Sequence, residues 1–107
     1  MQDLAFGELT AVAGEAVLNL LRRGADGSLR LSADRWRLAE VTPDAVVFRS
    51  VTDDPTDLQE LRILAEDVAR LTWDRLPRQQ KRSQLRFHLA NGDLWTFSGP
   101  LTDPGGD

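Results

Sequence analysis

His88 is the single histidine and the chain has no cysteine, so imidazole or thiol chemistry narrows to one side chain. A Ser-His-Asp triad or a histidine zinc site would have to hang on it. It sits in the alternating run Leu85-Arg86-Phe87-His88-Leu89, where a partly exposed strand histidine is the simpler reading. Asp53, Asp54, Asp57 and Glu60 offer oxygen ligands of the kind calcium takes, but without the Asp-x-Asp-x-Asp-Gly spacing that wraps a loop around the ion. Helix capping and a solvated loop account for them better. No glycine-rich phosphate loop, Gly-x-Ser-x-Gly elbow or His-Glu-x-x-His occurs. The expectation is a chain that is not an enzyme, with no catalytic residue, no metal ligand set and no cofactor.

One cluster does point to a ligand. The net charge is −4, yet residues 70–90 hold six bases and one acid. Within that window Arg75, Arg78, Lys81, Arg82 and Arg86 are flanked by Trp73 and Phe87. Cations for phosphates and aromatic faces for bases are what single-stranded nucleic acid requires. A solvated loop from Pro77 to Ser83 that offsets the acidic remainder explains the same residues and is preferred. The aromatics alternate as core residues do.

The elements that must position these residues follow from periodicity. Leu9, Val12, Ala13, Ala16, Val17, Leu20 and Leu21 fill the i, i+3, i+4, i+7 template and predict an N-terminal helix ending at Arg22, Arg23 and Gly24. Leu29, Leu31, Trp36 and Leu38 alternate with Arg30, Ser32, Arg35 and Arg37 around a break at Ala33-Asp34, which reads as two short strands or one long bent one. A strand from Ala45 to Val51 follows Thr42-Pro43-Asp44, and a three-residue turn there would set Leu38 opposite Phe48. Asp57 and Glu60 resemble a capping box before Leu58, Leu61, Leu64, Ala65, Val68 and Leu71, which favours a helix over 58–72. The competing reading makes Leu61–Leu64 one strand and Val68–Trp73 another. In the last hairpin, a loop Ala90-Asn91-Gly92 with Gly92 left-handed sets Phe87 against Trp95 and Leu85 against Phe97.

At 107 residues, with 41% hydrophobic residues, the chain has room for one core. The expected organisation is a single globular domain over 1–99 and a flexible tail over 100–107. Its core is expected to hold Leu9, Val12, Val17, Leu20, Leu21, Trp36, Leu38, Phe48, Leu61, Leu71, Phe87, Trp95 and Phe97. No apolar run approaches a membrane span, and Met1-Gln2-Asp3 opens without a basic and then apolar stretch, so a cytoplasmic location is expected. The arginine-heavy base usage suggests a GC-rich genome. The fold class is α+β or mostly β: an antiparallel sheet or open β-roll of about five strands with an N-terminal helix.

Residues 65–73, Ala-Glu-Asp-Val-Ala-Arg-Leu-Thr-Trp, followed by a charged loop and then 85–97, Leu-Arg-Phe-His-Leu-Ala-Asn-Gly-Asp-Leu-Trp-Thr-Phe, resemble the late strands of bacterial pleckstrin-homology-like domains. With a helix at 58–72 the element order is similar instead to acidic type III secretion chaperones. Both resemblances imply a binding module or adaptor rather than a catalyst. The expected function is therefore recognition of a protein partner, with nucleic-acid binding through Arg70–Arg86 as the alternative; neither partner identity nor oligomeric state follows from the sequence.

Overall fold

Burial alternates with period two over 18–21 and 83–87, as strands with one face in the core require. The computed structural model describes residues 1–78 and 82–104. Its strands are β1 Gln2–Asp3, β2 Leu18–Arg23, β3 Leu29–Val41, β4 Ala45–Ser50, β5 Glu60–Leu64, β6 Val68–Arg75, β7 Ser83–Leu89 and β8 Leu94–Gly99, with one short helix, α1 Leu9–Ala13. All eight pair antiparallel in a single sheet of order β1-β6-β7-β8-β2-β3-β4-β5, which does not close into a barrel. Among the described residues no helix is long and apolar enough to cross a membrane.

The sheet folds over on itself. β4 lies three places from β8, about 14 Å apart in a flat sheet, yet the Phe48 and Phe97 rings stack with centroids 4.0 Å apart. Phe87 meets both edge-on, at 6.0 Å and 5.7 Å. Leu4, Leu9, Val12 and Ala13 complete the core alongside Leu18, Leu20, Trp36, Val46, Ile63, Leu71 and Leu85. The indole N–H of Trp36 donates to Ser32 Oγ at 3.1 Å.

Three expectations are corrected. The sheet has eight strands rather than about five, because two stretches read as helix are strand and Gln2–Asp3 adds a short edge strand. The N-terminal helix stops at Ala13: Gly14, with φ 51 and ψ −126, leaves helical geometry, and Leu18 and Leu20 are then buried with period two in β2. Leu21 consequently turns outward and is 38% exposed. Residues 58–72 contain β5 and β6 joined by the single turn Ala65–Asp67. The capping-box reading fails because Asp54 caps instead, its Oδ1 accepting from the Thr56 N–H at 2.9 Å, while Glu60 pairs across the strands with Arg49 at 3.2 Å. The two-strand reading of that stretch holds, and the chaperone-like element order goes with the helix.

Both expected pairings form, one of them through a turn other than the three-residue one expected. Phe87 stands opposite Trp95 and Leu85 opposite Phe97, with Gly92 at φ 93. Leu38 stands opposite Phe48, but by another route: the Thr42 N–H donates to the Ala45 carbonyl at 2.9 Å, so Pro43 and Asp44 alone make the turn. A register shift between Leu38 and Glu40 restores the apolar match. Of the expected core, Val17, Leu38, Leu61 and Trp95 are only half-buried. The described part of the expected tail, 100–104, is tied down: the Thr102 N–H donates to the Val12 carbonyl at 2.8 Å, and Arg75 pairs with Asp103 at 3.0 Å.

Candidate functional site

The basic window is divided by the sheet. Arg75 ends β6, exposed and paired with Asp103, its guanidinium 5.8 Å from the Trp73 ring centroid. Arg78 is exposed in the following turn, Arg82 is half-buried, and Lys81 lies outside the described residues. Arg86 lies in mid-β7 opposite Thr72, on the face away from Leu85 and Phe87, and its Nε is buried without a hydrogen-bond partner. Trp73 and Phe87, the proposed stacking platforms, are 9% and 0% exposed. The four described bases therefore do not line one groove.

His88 shares the outer face with Arg86, and its Nε2 lies 3.3 Å from Thr72 Oγ1. Burial lowers its pKa below the ordinary 6.5, helped by Arg70, its cross-strand partner, and by Arg86, with Asp3 opposing. The unfolded chain thus takes up the proton first. The contribution of the neutral ring is present above pH 6.5 and is lost as the pH falls from there through the folded pKa. An NMR titration is expected to place the His88 midpoint below 6.5, and Arg86→Gln should move it upward; a midpoint at or above the ordinary value would contradict this environment. Of the acids from Asp53 to Glu60, Asp54 caps the Pro55–Asp57 turn and Glu60 pairs with Arg49. Among the described residues no three of His, Asp and Glu converge as a metal site.

A different surface emerges from β2 and β3. β4 pairs with β3 only from Trp36 onward, so Leu29–Asp34 has β2 on one side and, among the described residues, no strand on the other. Strand alternation sends Leu29 and Leu31 to one face and Arg30 to the opposite one. The leucines are 67% and 71% exposed, beside Leu21, which stands directly opposite Leu31. On the other face Arg30 stands opposite Arg22, and Arg22 stands opposite Trp95 with its guanidinium 4.6 Å from the ring centroid. Arg22, Arg23, Ser28, Arg30, Asp93 and Trp95 line a shallow pocket of about 200 Å³.

The tip of this arm is held in place. The Gly24 N–H donates to the Ser28 carbonyl at 2.8 Å, and Asp26 Oδ1 accepts from the Ser28 N–H and hydroxyl at 3.0 Å and 2.7 Å. Those bonds, the hydroxyl first, hold the Asp26 carboxyl below its usual range. Asp93 Oδ1 accepts from the Ala25 N–H at 3.0 Å, fastening the arm to the β7–β8 turn. The sequence carried this surface in plain view as Leu29-Arg30-Leu31. Assigning Arg22 and Arg23 to a helix end hid that they face it across a strand pair. No family model, curated protein or solved structure matches the chain.

Proposed function

We propose that the chain is a non-enzymatic binding module that takes up an extended segment of a protein partner as an added strand on the free edge of β3. The observation that carries this reading is the pair Leu29 and Leu31, more than two-thirds exposed beside an unpaired strand edge. An exposed apolar edge is a template for another strand: backbone groups give affinity and alternate side chains give selection. The anchored tip keeps that edge formed in advance, which lowers the ordering cost of binding. The resemblance to pleckstrin-homology-like strands points the same way, toward binding. The nucleic-acid alternative retains Arg78 and Arg82 but has neither aromatic face exposed beside them.

The test is selection of random twelve-residue peptides against the immobilised domain, followed by affinity measurement on the double variant Leu29→Ser, Leu31→Ser. Its substitutions lie at exposed sites, where stability changes stay within ~0.5 kcal/mol. Selected peptides are expected to lose at least about tenfold in affinity, equivalent to ~1.4 kcal/mol. Undiminished binding would move the interaction elsewhere.

A further inference from the structure

We infer that the segment captured on this edge is acidic at its centre, with the local pattern apolar, Asp or Glu, apolar, the carboxylate meeting Arg30. The inference rests on strand uptake at β3 and specifies the partner's chemistry. A strand added beside Leu29-Arg30-Leu31 must put alternate side chains on opposite faces. The residues next to Leu29 and Leu31 would lie on the leucine face, and the one between them would lie beside Arg30.

Charge identifies that middle residue. Arg22 and Arg30 are directly opposed like charges, an arrangement that disfavours the sheet. The side-chain ion pairs among the described residues use Arg49, Arg70 and Arg75, and none uses Arg22, Arg23 or Arg30. Asp93, the one acid lining their pocket, already accepts from Ala25 and Asn91. Arg22 is drawn over Trp95 on the side away from the free edge, which leaves Arg30, exposed and in no side-chain ion pair among the described residues, as the cation of the pair nearest the added strand. The other long edge, β5, lacks this imbalance at its start, because Glu60 is paired with Arg49.

Three synthetic peptides test the inference, identical except for a centre of Val-Glu-Val, Val-Gln-Val or Val-Lys-Val. In low salt the Glu peptide is expected to bind about tenfold tighter than the Gln peptide, as for a hydrogen bond to a charged group, with the Lys peptide weakest. Arg30→Glu should reverse the Glu and Lys order. Because it removes the Arg22–Arg30 repulsion, that variant should melt no lower than the native chain, so lost binding would not reflect lost folding.

Equal affinity for all three peptides, still abolished by Leu29→Ser with Leu31→Ser, would overturn the acidic inference and leave strand uptake standing. No binding by any peptide, selected or synthetic, would overturn both. A single-stranded oligonucleotide that displaces the Glu peptide at equal concentration would show a general polyanion site and overturn the acidic-peptide assignment. Self-association abolished by the leucine substitutions would make the occupant a second copy of the chain and likewise overturn it.

Discussion

Replacing Phe97 by Ala is expected to remove about 3–5 kcal/mol of stability, a large share of the ~5–15 kcal/mol typical of a domain. Phe97 is fully buried, stacked on Phe48 at 4.0 Å and edge-on to Phe87 at 5.7 Å. These rings come from β8, β4 and β7, so the cavity would open where the folded-over sheet meets itself. Phe97→Leu keeps most of the volume and should cost less than half as much. Urea unfolding with an unchanged slope would measure both. A loss below about 1 kcal/mol for the alanine variant would mean that the two halves of the sheet are not packed through this contact.

The second large effect is expected from adding a single methyl group. A Cβ on Gly99 would lie 2.7 Å from Leu18 Cδ2 and 2.8 Å from the Val17 carbonyl oxygen. The leucine tip can turn away, but the backbone oxygen moves only with the start of β2. Gly99→Ala should therefore destabilise by about 1–3 kcal/mol, as overpacking does. Gly7 is the internal comparison, since nothing lies within 4 Å of a Cβ placed there. Equal urea midpoints for Gly99→Ala and Gly7→Ala would refute the close approach of β2 to β8.

Local signals carried the hairpins because their information is local. The Asn91-Gly92 loop and the apolar pairing of Phe87 with Trp95 settle each other within a dozen residues. The two failed helices show the converse. Leu9 to Leu21 satisfies helical spacing, but it satisfies strand spacing from Leu18 onward as well, and Gly14 is the residue that separates the two. Over 58–72, helical spacing and a false cap outweighed alternation at Leu61, Ile63, Leu71 and Trp73. β4, buried on both faces, requires a partner on its free side, and that long-range demand decides the matter. The proposed binding surface stayed hidden for the same reason. Its members Arg22, Arg30 and Trp95 are brought together by pairing alone, while the basic window that looked continuous in sequence is cut by strand alternation.

The pairing of β2 with β8 joins residues near Leu20 to residues near Phe97, almost from one end of the chain to the other. Pairings at such separation form slowly, because the entropy of closing a long loop is lost before any contact offsets it. The hairpins β3–β4 and β7–β8 are local and can form early; the β2–β8 seam must form late. β2 is also one of the two strands of the proposed binding arm, and its Arg22 reaches Trp95 only across that seam. The proposed recognition surface is thus completed late in folding, so a chain still emerging from the ribosome, with β8 unmade, would expose the Leu29–Leu31 edge without the arginine pair and indole beside it.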